Sequence, residues 1–343
     1  MAQLATCTTS SQATLGVVLP SRARTTCSTP AAATRLDKLR QGAATFTRSV
    51  RLHASRGPRR ARRVTAVKGS LTQPQPQSSQ KDVDLSSTFS LDEVRQSLIR
   101  QEDSIIFSLI ERAQFKHNDV VYQENSIAVP LYDRHTGTRA SFLEYYLRES
   151  EQMHGKMRRY TSPDEMAFYP ESLPPLVLPP LEYPSVLVPQ NISLNDEIVE
   201  LYTKTLVPAI CEAGDDNNYG STCMFDVQVL QALSKRIHYG KFVAEAKFRS
   251  NKETYTQLIK AQDAEAIMDS LTFPAVEKHV VDRVTKKAAT YGQDVLVEGA
   301  EQKEIKYKVP PEMVGELYSK WIMPLTKKVQ VLYLLKRLDH EEN

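Results

Sequence analysis

From residue 90 onward, apolar side chains recur at the helical period, and this constrains the fold more than any other feature of the chain. Val94, Leu98, Ile105 and Leu109 form one stripe over residues 91–114, with Ser90 placed to cap the helix and Glu93 to complete a capping box. Comparable patterns predict helices over 139–160, 194–212, 221–249, 252–260, 262–271, 274–291 and 311–339. Strand signals are confined to VLVEG and IKYKV around 295–309, which could pair as a hairpin. Prolines crowd residues 163–189 (SPDE, LPPLVLPPLEYP) and forbid a continuous helix, leaving a long packed loop. Only 12 glycines among 343 residues argue against a fold of Gly-rich turns, and no internal repeat is legible. The expectation is an all-α fold, a single multi-helix domain over residues 90–343.

Charge divides the chain. Residues 1–68 hold 13 Lys/Arg and one acid, Asp37, so of the formal +3 this stretch supplies +12 and the remainder is −9. A nucleic-acid partner therefore loses its electrostatic footing. The stretch is rich in Ser, Thr, Ala and Arg and lacks an apolar run long enough for a signal peptide or a membrane span. It reads as a transit peptide, of plastid type because Ser and Thr dominate, which would place the mature protein in the chloroplast stroma; the alternative is a disordered basic tail. Residues 69–89 read as a polar linker.

Cofactor signatures are missing from the sequence. Cys7 and Cys27 lie in the leader, and Cys211 and Cys223 have no metal-ligand spacing. No HExxH, Walker A or Gly-rich dinucleotide pattern occurs. Chemistry without metal or cofactor, or no chemistry, is what remains.

The segment KRIHYGKFVAEAKF carries the strongest chemical signal. Arg236 and Lys247 are eleven residues apart, which puts them within ~20° on one helical face and roughly 16 Å apart along the axis. Gly240 and Ala244 lie between them, so the face can form a shallow trough with a cation at each end, suited to a compact polyanion. A glycine inside a helix costs about 1 kcal/mol relative to alanine, so its presence needs a reason. The same spacing equally fits two solvated cations with Gly240 admitting a neighbouring helix. Thr326 and Gln330, at i and i+4, share a face of the last helix, and Arg95 stands one position from the first apolar stripe.

Six collinear blocks make the chain resemble the fungal and plant chorismate mutases across residues 90–339: LIRQEDSIIFSLIERAQF, MRRYTSPDE, DDNNYGS, LSKRIHYGKFVAEAKF, VTKKAATYG and PLTKKVQVLYLLKRL. The resemblance implies an all-helical homodimer, without metal or cofactor, that rearranges chorismate to prephenate on the route to phenylalanine and tyrosine. It implies that Arg95 and Arg236 clamp the substrate carboxylates, and that Thr326 lines one of them. Lys247 and Gln330 would donate to the ether oxygen, and Glu277 would accept from the ring hydroxyl. Phe273 stands where the fungal pattern has Asn, which implies a hydroxyl contact that is either weaker or made by another group.

The resemblance also implies an effector site for tryptophan, tyrosine or phenylalanine at the dimer interface, mapping to Arg158, Arg159, Asn217, Asn218, Gly220 and Ser221. Met224 replaces a Thr of the fungal pattern there. Two rivals differ in class. A prenyl-chain enzyme would also be helical and plastidial, but Asp215-Asp216 lacks the third carboxylate its metals need. A helical scaffold in the stroma would need no Gly between two cations on one helix face.

Overall fold

The computed structural model describes residues 89–130, 140–293 and 306–339. The basic leader, residues 69–88 of the expected linker, and residues 294–305 of the expected hairpin lie outside the described residues. By internal contacts the chain divides into Met1–Gln77 and Ser78–Asn343, and every described residue belongs to the second unit.

Among the described residues every regular element is helical, as expected; the nearest thing to the hairpin is one antiparallel bridge between Gln293 and Tyr307. Helix α1 (Leu91–Arg112) begins at Ser90, whose hydroxyl accepts from Glu93 N while the Glu93 carboxylate accepts from Ser90 N. Helix α2 (Phe142–Lys156) is capped by Ser141. It stops short of the expected end because Arg158 adopts a left-handed φ of 72°, and a short 3-10 turn, Arg159–Thr161, follows.

The expected helix at 194–212 is interrupted. It consists of α3 (Asn195–Leu201), a π turn at Tyr202–Leu206, and α4 (Val207–Ile210). The last expected helix breaks the same way into α10 (Pro311–Leu317), a π turn at Tyr318–Ile322, and α11 (Met323–Leu335). Pro208 and Pro324 explain both breaks. Proline cannot donate to the carbonyl four residues back and crowds it, so the turn ahead widens. The expected long helix over 221–249 is α5 (Tyr219–His238) and α6 (Gly240–Ser250), separated at Tyr239. Helices α7 (Lys252–Lys260), α8 (Ala264–Leu271) and α9 (Pro274–Gly292) complete the set.

Helices α1 and α5 form the central antiparallel pair. Ile105, Ile106 and Leu109 on one, and Val229, Leu230 and Leu233 on the other, are buried in the main core. Each contributes about 1.5–3 kcal/mol by leaving water. At one end of this pair the Asp226 carboxylate accepts from Arg112 Nε (2.5 Å), the Tyr202 hydroxyl (2.5 Å) and the Tyr122 hydroxyl (3.0 Å). A second, smaller core gathers Ala244, Phe248, Tyr255, Ile267 and Tyr333 where α6 and α11 meet α7 and α8.

The structure also corrects the reading that no repeat exists. Glu102, Ile105, Ile106, Leu109 and Arg112 of α1 recur in register as Asp226, Val229, Leu230, Leu233 and Arg236 of α5. ELYTKTLVP at 200–208 recurs as ELYSKWIMP at 316–324, with both π turns inside it. Tyr202 and Tyr318 occupy matching positions and are both fully buried.

Candidate active site

A cavity of about 420 Å³ lies between α1, the α5–α6 junction and the α8–α9 segment. Four of the expected catalytic residues, Arg95, Arg236, Lys247 and Glu277, line it. Its remaining wall is largely apolar, with Leu98, Ile99, Val243, Leu271, Val276 and Val280. Charges set in such a wall interact more strongly than they would in water.

Arg236 is buried at the end of α5. One Nη donates to the Thr326 hydroxyl at 3.3 Å, while Nε has no partner. Burial lowers its pKa, but guanidinium starts so high that it stays charged. Lys247 donates to the Leu271 carbonyl at 3.3 Å and lies 4.9 Å from the centroid of the Phe273 ring. Burial, helped by Arg95 and Lys327 and opposed by Glu277, pushes it down to about 8. Neither cation has an ion-pair partner among the described residues, so one buried and one half-buried positive charge line the same small space.

Arg95 stands at the rim, paired outward with Asp92 at 2.9 Å, its side chain 58% exposed. Thr326 and Gln330 are buried behind Arg236 and do not form the cavity wall. Gln330 Nε2 donates to the Thr326 carbonyl at 3.3 Å and its Oε1 has no partner. Glu277 is held by Lys327 at 3.0 Å.

The trough reading is overturned. A Cβ on Gly240 would stand 2.7 Å from the Thr326 carbonyl oxygen and 3.3 Å from Val329 Cβ, so this glycine admits α11 rather than a ligand. Ala244 is buried in the second core. The alternative of close helix packing holds for Gly240, although the two flanking cations are not solvated as it supposed and reach a common cavity.

Two charged residues of the site were not picked out from sequence. Arg283 of α9 grips buried Glu102 with two hydrogen bonds, 2.6 and 2.9 Å, which holds its guanidinium charged. Lys287 adds a 3.2 Å contact to the same carboxylate. Helical spacing could have found them: Glu102 is i+7 from Arg95, and Val276, Val280 and Arg283 follow the i, i+4, i+7 rule.

The expected effector residues lie elsewhere. Arg158 donates to the Pro179 carbonyl at 2.8 Å, tying the end of α2 to the proline-rich strap. Arg159 is committed to Glu165 (3.1 Å) and Gln231 (2.6 Å). The turn before α5 is organised by its two acids, with Asn217 N donating to Asp215 and Asn218 N to Asp216. Burial opposes ionisation of Asp216, but the backbone N–H groups of Lys116 and Asn218 and the Asn118 amide outweigh it and hold the carboxyl at about 2. Asp216 is thus spent on the turn, and no cluster of three metal-binding side chains occurs among the described residues. Gly220 faces open space, with nothing within 4 Å of where a Cβ would stand, and Ser221 and exposed Met224 follow it on α5. Gln231, where Arg159 docks, is eleven residues beyond Gly220, roughly 16 Å along the helix. One chain does not bring the two sets together.

Residues 218–331 match the family described as chorismate mutase type II. The chloroplastic chorismate mutase 1 of Petunia hybrida is 51% identical over 260 residues, covering 75% of this chain and 78% of that protein. Among solved structures, a Candida albicans chorismate mutase in complex with L-Trp superposes with a TM-score of 0.68 at 41% identity, covering 73% of this chain and 92% of that one. AtCM1 with phenylalanine bound in its allosteric site gives 0.65 at 49% identity, covering 75% and 99%, and its tyrosine complex gives the same values.

Proposed function

The chain belongs to the chorismate mutase family and rearranges chorismate to prephenate in aromatic amino acid synthesis, and we propose that it does so in the cavity between α1, α5–α6 and α9. The observation that carries this assignment is the pair of cations without ion-pair partners, Arg236 and Lys247, lining one small, largely apolar space.

Chorismate is a dianion with a flexible enolpyruvyl ether. Its [3,3] shift needs no proton transfer and no covalent intermediate, so the protein can only fix the compact chair-like conformer and stabilise the charge that develops. Arg236 holds one carboxylate from the cavity floor, with Thr326 behind it. Arg95 leaves Asp92 for the other. As the C–O bond lengthens, negative charge builds on the ether oxygen, where Lys247 donates from one side. Gln330 exchanges the Thr326 carbonyl for that oxygen on the other. Glu277 accepts from the ring hydroxyl. Purified protein should form prephenate from chorismate, and Lys247→Ala should cost at least about 10²-fold in kcat, the scale of one such donor. Arg236→Ala should also raise KM, because it holds ground-state carboxylate. Near-native turnover in both folded variants would remove the assignment.

Regulation belongs to the same reading. The protein acts as a homodimer, and an aromatic amino acid sits where Arg158 and Arg159 of one copy meet the Asn217–Ser221 turn of another. Three observations support this: the two sets lie about three helical turns apart within one chain, Gly220 is open, and Met153, Met157, Val177 and Leu181 are exposed apolar side chains on the two segments that Arg158 ties together. The relatives crystallised with phenylalanine, tyrosine and tryptophan supply the ligand class. With chloroplastic relatives at this identity, residues 1–68 act as a plastid transit peptide, 69–89 as a linker, and 90–343 as the catalytic and regulatory domain in the stroma.

A further inference from the structure

Phe273 is an awkward residue for its position. It is the N-cap of α9, where Ser, Thr, Asp or Asn would accept from the first free N–H groups, and its side chain caps nothing. It is also a large apolar side chain left 52% exposed. Pro274 directly after it fixes the helix start, so the backbone sets where the ring can go.

The ring lies at the cavity wall over the Lys247 ammonium, 4.9 Å from centroid to Nζ, within the range of a cation–π contact. The Leu271 carbonyl, two residues earlier, accepts from the same Nζ at 3.3 Å. The α8–α9 junction therefore cradles this ammonium with a carbonyl dipole and an aromatic face, and with no carboxylate. We propose that Phe273 is a positioning residue, whose ring keeps Lys247 charged and aimed into the cavity.

The surroundings make that task necessary. Burial disfavours the ammonium, and Arg95 from α1 and Lys327 from α11 repel it, while Glu277 from α9 alone attracts it. Arg236, Arg283, Glu102 and His279 also line the cavity, and in them the cations again outnumber the acids. Free Lys247 thus titrates at about 8, close enough to the working range that a modest contact decides its charge. A ring quadrupole supplies attraction without the hydrogen bond of a carboxylate, so the ammonium remains free to donate to substrate.

This inference rests on Lys247 being the ether-oxygen donor, and the test separates the two. The readout is kcat/KM for chorismate against pH in the full chain, because that ratio reports the free enzyme. The wild type should lose activity above about 8 as Lys247 deprotonates. Phe273→Leu should move that alkaline limb down by roughly half a pH unit, so that activity falls more at the alkaline end than on the acid plateau. Phe273→Tyr and Phe273→Trp should restore the limb. The ring is half exposed, so these variants should fold, which thermal melts check. If Lys247→Ala is inactive but the Phe273→Leu profile superimposes on wild type, or drops equally at every pH, the role of Phe273 is overturned. If Lys247→Ala is itself active, the donor assignment fails instead.

Discussion

Lys327 of α11 reaches across to α9 and holds the Glu277 carboxylate at 3.0 Å, while also donating to the Thr272 hydroxyl at 3.4 Å. The residue assigned to the substrate's ring hydroxyl is therefore held by a cation that is not itself part of the cavity wall. This matters more because Phe273 has no polar group to share that contact. Lys327→Met should lower kcat/KM by about tenfold, the scale of one charge-assisted hydrogen bond, and Lys327→Arg should retain most of the activity. The double variant with Glu277→Gln should be no worse than Glu277→Gln alone. Additive losses would show that Lys327 acts on something other than Glu277.

Gly240 gives a stability prediction with a built-in control. Alanine there would gain about 1 kcal/mol of helix propensity, yet its Cβ would stand 2.7 Å from a backbone oxygen that cannot rotate away. Overpacking of this kind costs roughly 1–3 kcal/mol. Gly240→Ala should therefore lower the denaturant midpoint and reduce kcat, since α11 carries Thr326 and Gln330. Gly220→Ala, in open space, should leave the midpoint unchanged or raise it. Equal responses at the two glycines would refute the packing account.

That same glycine shows what sequence alone could resolve. Helical spacing brought Arg236 and Lys247 to one face, and both do reach the cavity, even though the helix between them breaks at Tyr239. Spacing could not tell which neighbour that face meets, so Gly240 and Ala244 were open to a trough reading that α11 and the second core rule out. Helix existence was legible because the apolar stripes are strong. The π turns were not, because Pro208 and Pro324 lie inside continuous apolar patterns. The repeat escaped because its halves share only spaced positions and one short motif, separated by more than a hundred residues. Arg283 and Glu102 escaped because each looks like a surface charge until the other helix is in place.

The effector reading predicts opposite shifts of the chorismate saturation curve on adding tryptophan or tyrosine. Gly220→Asp should abolish that response and leave basal activity. The new carboxylate fills the open space and repels the ligand's own carboxylate. It sits in the first turn of α5, where an acid suits the helix dipole, so folding should not suffer. A wild type indifferent to all three aromatic amino acids, or a Gly220→Asp protein that responds normally, would end this reading.

Gln330 offers the sharpest test of the transition-state assignment. A donor to the ether oxygen must carry a proton. An amide does so at any pH, whereas a carboxylate there would repel the developing charge. Gln330 is buried and its Oε1 has no hydrogen-bond partner, so no donor in the protein meets a negative charge at that atom. Burial pushes a carboxyl's pKa upward, so Gln330→Glu should stay active at the acid end and lose activity as pH rises through the new residue's pKa. Stability should move in the same direction. A carboxyl whose folded pKa is raised holds its proton longer when folded than when unfolded, so the variant loses stability as pH climbs above the unfolded value of about 4.3. Thermal melts at each pH separate this loss from the catalytic one. The wild type should be nearly flat from about pH 5 until Lys247 begins to deprotonate, near 8. If the variant, still folded, traces the wild-type pH–rate profile, Gln330 does not donate to the ether oxygen.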